Sequence, residues 1–460
     1  MKQRKSKEQI TRALTHIQLK ETNGGKLAVL DEVASVYLPL CQQYVTLFCI
    51  DEQPDMFRVP CFDTPLSERW QRVAIQQAAG IAQSWRTNRE HAYQSYLQEH
   101  RAYHERQAAG TLHRATKEPQ WQEWSVPVLR QMCIQANANV ALLEVAEDST
   151  FDYWLKMSTL QKRQPIRVPV KLAAYHTEQL TDPKTGKRKA LNSSVTLNKR
   201  EGAWWLTLSY DEVVAVQTPP DAPVIGIDVG IANFLTTDDG KHYGTFHGKL
   251  RARHKRDRAK RRRKAKLRAC LKKKGVKKLP STSSRTGQRL RRHVKQSINR
   301  AVNECFTDKE HAGVQFAYEQ LSIATMKFKA RAQNAYLRAS NLAHIPQQIA
   351  WNAAKRGRRA TRVPSAYSSQ QCSVCGYTDK KNRPSQQTFC CQVCGYETHA
   401  DVNAAKNLAA RVGDSELYAC QDKHAIKALL MERHEAWTQH QGKQDIGPTK
   451  CQGIASVSST

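Results

Sequence analysis

The unit Cys-x-Val-Cys-Gly-Tyr occurs twice, at 372–377 and 391–396, so that Cys372, Cys375, Cys391 and Cys394 form two CxxC pairs separated by 15 residues. Each CxxC-Gly turn aims two thiolates at one tetrahedral ion, which makes Zn²⁺ the expected metal. Four thiolates leave no position for water or substrate, so this zinc is expected to be structural. Cys390 is adjacent and could compete as a ligand, but only Cys391 reproduces the repeated unit.

Three carboxylates stand where strands and helices begin or end. Asp228 closes the apolar run VIGID, Glu319 closes FAYE, and Asp401 opens DVNAAKNLAAR. Each has an ordinary reading. Asp228 could start a turn, Glu319 could be a solvated strand end, and Thr398-x-x-Asp401 matches a helix-capping pattern. If the two strands are neighbours in a sheet, Asp228 and Glu319 face each other and repel unless a cation neutralises them. Mg²⁺, hard and oxygen-liganded, suits such a pair. The helix after the cysteines, packed beside the sheet centre, would add Asp401 as a third ligand, with Asn403 available to orient it or to bind a metal water.

The elements that must position these groups can be read from periodicity. Beyond Thr218-Pro219-Pro220, VIGID at 224–228 is expected as a buried strand, and FLTT and HYGTF as a hairpin around Asp239-Gly240. Leu290, Val294, Ile298, Val302 and Phe306 recur every four residues as one helix face. VQFAYE predicts a fourth strand, IPQQIAWNAAKRG a helix opened by Pro346, ATRV a fifth strand, and residues 401–411 a final helix. The order βββ-α-β-α-β, metal insertion, α is that of an RNase H-like α/β domain, over 222–366 and 398–413 with the zinc-binding insertion at 367–397. Upstream, a strand at 15–22 and a helix at 27–48 precede a region, 67–145, that is helical in pattern. There Ser67 is the N-cap and Trp70, Val73, Ala74, Ala78 and Ile81 form the stripe. Between Tyr153 and Val216 the alternation turns to β, predicting a small barrel or open sheet that the N-terminal strand could join. This divides the rest into a β-barrel (1–30 and 150–220), an inserted helical lobe (31–149) and an unassigned tail (414–460).

Composition narrows the partners. With 73 Lys and Arg against 41 Asp and Glu, the 460-residue chain carries a net charge of +32. A polyanionic partner is expected. The segment from Lys249 to Lys278 holds 18 basic residues and the single Asp257, a net +17 in 30 residues, which points to phosphate contact. No apolar run was evident that approaches the roughly 18–20 residues of a membrane span, and the start lacks the apolar core of a secretory signal. A reducing cytoplasm is expected, with the 13 cysteines as core residues or metal ligands.

Together, VIGIDVGIANF, FAYEQLSI, SSQQCSVCG and CQVCGYETHADVNAAKN resemble the RuvC-like nuclease domain of TnpB proteins and of compact type V CRISPR effectors, over about 223–411. More weakly, WLKMSTLQKRQPIRVPVK resembles part of that family's wedge barrel and the helical region its recognition lobe. The resemblance implies an RNA-guided DNA endonuclease that acts on double- and single-stranded DNA, with a guide RNA and structural Zn²⁺. Asp228, Glu319 and Asp401 would hold catalytic Mg²⁺, and specificity would come from base pairing beside a short target motif. Two other readings remain: an RNA-guided DNA binder that does not cut, and a DD-E-type transposase. The latter's acids run Asp, Asp, Glu, whereas these run Asp, Glu, Asp. An actin-like ATPase would require Gly-rich phosphate hairpins, and none is visible.

Overall fold

The computed structural model describes residues 7–50, 58–112, 116–183, 185–230, 233–245, 247–276, 285–319 and 340–440. Lys277 and Lys278 of the basic run, motif residues Ile231, Ala232 and 320–323, Phe246 of the expected hairpin, and the tail beyond His440 lie outside them. The chain divides into two units, one of Gln9–Glu212 and one of Met1–Glu8 with Val213–Thr460.

In the first unit, β1 (Lys7–Gln18) leads into α1 (Gly24–Ile50) and α2 (Glu68–Ala108). Leu30, Val33, Ala34, Tyr37, Cys41 and Tyr44 recur at helical spacing on α1 and are fully buried. By length and composition α1 is apolar enough to cross a bilayer, contrary to the expectation that no such run exists. Its apolar residues nevertheless lie in one core with Trp70, Val73, Ala74 and Ala78 of α2, the stripe predicted from the sequence. Inside this core Tyr37 donates to Gln77 Oε1 at 2.9 Å, and Gln77 Nε2 donates to the Cys133 carbonyl at 2.9 Å, whereas the buried Trp70 Nε1 has no hydrogen-bond partner among the described residues.

Ser67 is the N-cap residue of α2, but the helix stops at Ala108 and does not run on toward Val145. Pro119 and Pro127 lack the N–H a helix needs, and the apolar-polar alternation beyond them forms β2 (Cys133–Ala136) and β3 (Ala141–Val145). The unit continues with β4 (Tyr153–Met157), β5 (Ile166–Val170), the short α3 (Ala174–Leu180), β6 (Val195–Arg200) and β7 (Ala203–Ala215). These strands pair as two ladders, β1-β7-β6-β2 and β3-β4-β5. The N-terminal strand thus lies beside β7, as the sequence allowed, although it begins eight residues earlier than the expected Thr15, at Lys7.

The second unit is built on a five-stranded sheet. Its strands are β8 (Val224–Asp228), β9 (Asn233–Thr237), β10 (His242–Thr245), β11 (Gln315–Glu319) and β12 (Ala360–Val363), in the order β10-β9-β8-β11-β12. The first three are antiparallel, whereas β11 runs parallel to both β8 and β12. Between β10 and β11 come the basic helix α4 (His247–Lys273) and α5 (Arg285–Thr307), and α6 (His344–Ala354) precedes β12. Ile227, Phe316 and Tyr318 face a core with Val294, Ile298 and Val302 of α5 and Ile345 and Ile349 of α6. Strand alternation sends Gly226, Asp228, Ala317 and Glu319 to the opposite face.

That face is covered by α7 (Ala400–Ala410), which follows the zinc-binding element and its hairpin of β13 (Thr388–Cys390) and β14 (Glu397–His399). The approach is close because Gly226 has no side chain: a Cβ there would stand 1.8 Å from the Ala405 carbonyl oxygen. Two further helices, α8 (Ser415–Ala419) and α9 (Lys423–His440), come from the stretch left unassigned by sequence. Leu417, Ile426 and Leu430 form a small core with Ala366 and Tyr367 partly buried against it, and Arg433 binds both Asp414 and Glu416.

Candidate active site and metal centre

The meeting of Asp228 and Glu319 follows from register. Ala317 pairs with Gly226 and Tyr318 with Ile227 in the parallel ladder, so Glu319 and Asp228 end adjacent strands on one face. Helix α7 runs over the same face, and Asp401 lies one turn before Ala405, which sits on Gly226. One turn back along α7 therefore corresponds to two residues forward along β8, and Asp401 arrives beside Asp228. Small residues beneath the helix and acids at its N-terminal end belong to one packing solution.

The electrostatics agree with this placement. Burial and the neighbouring Asp401 carboxyl push Asp228 up to about 7, against a smaller opposing pull from Arg383. Glu319, buried at 6% exposure, is raised well above the usual carboxylate range by burial and by Asp228, although its Oε1 accepts the Val229 N–H at 3.0 Å. Acids that hold one another's protons on form a site that a cation would discharge. An all-oxygen donor set of this kind fits Mg²⁺ better than a soft metal. The three carboxylates are not drawn as close as a metal's own ligands; among the described residues only two other groups bring ligand atoms within 4.8 Å of one another.

Asp401 is held from two sides. His399 caps α7, its Nδ1 accepting the Asp401 N–H at 3.3 Å, so the cap comes from His399 and not from the expected Thr398 pattern. The Asp401 Oδ1 accepts from Arg383 at 2.9 Å. Arg383 belongs to the zinc-binding element and was missed in the sequence, where it lies in a non-periodic loop with no motif to mark it. Its placement comes from Asn382, which is fully buried and donates to the carbonyls of Gln370 and Tyr377 at 2.9 and 3.0 Å while accepting the Gln392 N–H at 3.0 Å. One amide thus ties the two cysteine turns together, and the next residue reaches the acids.

The four cysteines gather as their spacing requires. Cys372 and Cys394 stand 3.6 Å apart and Cys375 and Cys391 3.5 Å apart, with all four sulfurs within 4.8 Å of one another. The two turns are near-copies: Gly376 and Gly395 donate back to Cys372 and Cys391, which donate to Tyr377 and Tyr396. Both glycines have positive φ, +77° and +71°, a conformation side chains resist. Four sulfurs gathered in this way suit Zn²⁺, which takes thiolates. Cys390 is buried on β13 and lies outside this group.

The sequence reading of Asn403 is corrected by its contacts. Its amide donates to the Gln371 carbonyl at 2.8 Å and accepts the Ser373 N–H at 3.0 Å, so both ends serve the first cysteine turn. One and two turns on, Asn407 and Arg411 also bind Gln371. Helix α7 therefore has two working faces, small residues toward the sheet and amides toward the zinc-binding element. From the far side α9 contributes His434, whose Nδ1 contacts the Cys375 carbonyl at 2.8 Å, and Trp437, which packs on the cysteine cluster.

The comparisons with known proteins fall on this region. Residues 343–408 match the family described as Cas12f1-like, TNB domain, a span that includes the four cysteines and Asp401. The chain is 29% identical over 235 residues to InsQ of Escherichia coli (strain K12), provisionally named an RNA-guided DNA endonuclease; the alignment covers 47% of this chain and 56% of InsQ. It is 43% identical over 65 residues to the CRISPR-associated endodeoxyribonuclease Cas12f1 of Sulfoacidibacillus thermotolerans, covering 14% of this chain and 15% of the relative. The matched stretches thus span little more than half of these curated relatives at most. A cryo-EM structure of a Cas12f1–sgRNA–target DNA complex superposes loosely, with a TM-score of 0.44, 15% identity, and coverage of 87% of this chain and 99% of that one. In sequence, then, the chain is similar to InsQ and, over the cysteine region, to Cas12f1, in keeping with the resemblance to TnpB proteins and compact type V effectors that its motifs carry.

Proposed function

We propose that the protein is an RNA-guided DNA endonuclease that cuts target DNA beside a short adjacent motif in one RuvC site. The observation that carries this reading is the convergence of Asp228, Glu319 and Asp401 from two adjacent parallel strands and the covering helix, with burial and mutual repulsion holding protons on Asp228 and Glu319. We read the sheet order β10-β9-β8-β11-β12 as that of an RNase H-like domain. The β-ladders of Gln9–Glu212 then serve as the wedge barrel and its long helices as the recognition lobe. The relatives' names support an RNA-guided nuclease acting on DNA.

In this reading the three acids would hold Mg²⁺, which when bound would neutralise them and polarise the scissile phosphodiester. The chain's own groups prepare the place. The Val229 N–H holds Glu319 Oε1, Arg383 holds Asp401 Oδ1, and the Arg383 guanidinium adds positive charge where a phosphate would enter. The carboxylates act as holders and not as a general acid/base pair. The basic helix α4 would bind guide RNA or heteroduplex through phosphates, and base pairing would supply specificity.

A plasmid cleavage assay with the purified ribonucleoprotein tests this. Asp228→Ala should abolish Mg²⁺-dependent cutting while guide-dependent DNA binding persists. Retained cutting by that variant would remove Asp228 from the site, and binding without cutting by the wild type would leave a guided DNA binder.

A further inference from the structure

Helix α2 outruns its core. Its buried residues end at Ala82, yet it continues to Ala108. Over that outer half the chain returns alongside: Trp85 Nε1 donates to the Ser125 carbonyl at 3.1 Å, Arg89 binds Glu123 at 2.6 and 2.8 Å, and Tyr93 meets the Trp121 ring edge-on at 5.1 Å. The outermost rung consists of His100, His104 and Glu118. His100 Nε2 and His104 Nε2 lie 3.1 and 3.3 Å from the same Glu118 oxygen and 3.3 Å from each other.

We propose that His100, His104 and Glu118 form a second metal site, for a divalent transition ion such as Zn²⁺, which fastens the returning segment to the end of α2. Histidines four apart on a helix present both rings to one side, a known arrangement for zinc. The triangle has the right size, because tetrahedral bonds of about 2.0–2.2 Å place ligand atoms about 3.3–3.5 Å apart. Two imidazoles and one carboxylate leave the fourth position to water. Ring contacts help to set the imidazoles, with Tyr96 tilted 5.5 Å from His100 and Tyr103 edge-on 5.4 Å from His104. This site is chemically unlike the four cysteines and independent of the nuclease reading.

The full-length protein, stripped with a chelator and reloaded with Co²⁺, tells the two centres apart. Co²⁺ on thiolates gives intense charge-transfer absorption, whereas a nitrogen and oxygen site gives only weak visible bands. With excess Mg²⁺ present to keep Co²⁺ off the three carboxylates, the wild type should take up two Co²⁺ ions per chain and the His100→Ala/His104→Ala variant one, with the thiolate signature intact. Glu118→Gln should weaken the second ion by at least about tenfold. The control His91→Ala, on the same helix outside the cluster, should keep both. A wild type that binds one ion, as it would if protons alone bridge the cluster, overturns the proposal, as does a double variant that still binds two. An unchanged thiolate signature and helical circular dichroism show that a variant has folded.

Discussion

At Asp228 burial and a neighbouring carboxyl pull in the same direction, and the result is a strand-end acid that keeps its proton until about pH 7. The raised pKa has a stability cost with a definite sign. In the metal-free protein the contribution of Asp228 is complete below its ordinary pKa near 4 and is lost as pH rises through about 7, since ionisation then works against the fold. Between pH 5 and 8 the metal-free wild type should lose more stability than Asp228→Asn, by on the order of 2–3 kcal/mol. Denaturant unfolding of both proteins in chelator checks this; parallel pH profiles would contradict it. The positions of Asp228, Glu319 and Asp401 at the ends of two strands and the start of a helix are legible in the sequence, because an apolar run or a helix start marks each of them. Arg383 was not, because its position depends on how Asn382 bridges two turns far apart in sequence. Asn403 was misread for a related reason: one helical turn cannot say which of two neighbours an amide will meet.

Between elements, the link that matters runs from the zinc-binding turns to α7. Asn403 forms two hydrogen bonds to the first cysteine turn, and removing a buried partner leaves its mates unpaired. Asn403→Ala should therefore destabilise the second unit by about 2 kcal/mol. Cleavage should fall while zinc content stays at the wild-type level, as elemental analysis and a plasmid assay on one preparation can measure. Loss of zinc instead would mean that the amide supports the metal more than the helix. Periodicity located α5 well, because it has a single stripe buried against a sheet. It overextended α2, which ends just before Gly110, a residue whose φ of +66° breaks the helix well ahead of Pro119. The His100–His104 pair was also overlooked, because its third partner comes from outside the helix.

For the whole molecule, charge is the dominant property. Half of the net charge expected at neutral pH sits in the one run that contains α4, and its side chains from Arg258 to Arg263 are mostly exposed. Nucleic-acid affinity should fall steeply with salt. Replacing Arg256, Arg258, Arg262 and Arg263 by Ala should lower the slope of log affinity against log salt by about 3, the value for four lost phosphate contacts on a single strand. Titrations of guide-length RNA at several salt concentrations would measure it, and an unchanged slope would mean that these side chains do not meet phosphates. The five-strand order could be anticipated because parallel strands need long crossovers. The pairing of β1 with β7 could only be guessed, as nearly two hundred residues separate them.

The construction of the acid cluster also fixes when it can exist during synthesis. Strand β8 and its Asp228 are made early, β11 with Glu319 follows after the basic helices, and Asp401 comes last, on a helix that needs the cysteine turns before it can seat. A nascent chain therefore displays its basic helix α4 well before the three carboxylates can meet. Under the proposed function, translation would give the protein its means of holding nucleic acid before it has a place to cut it.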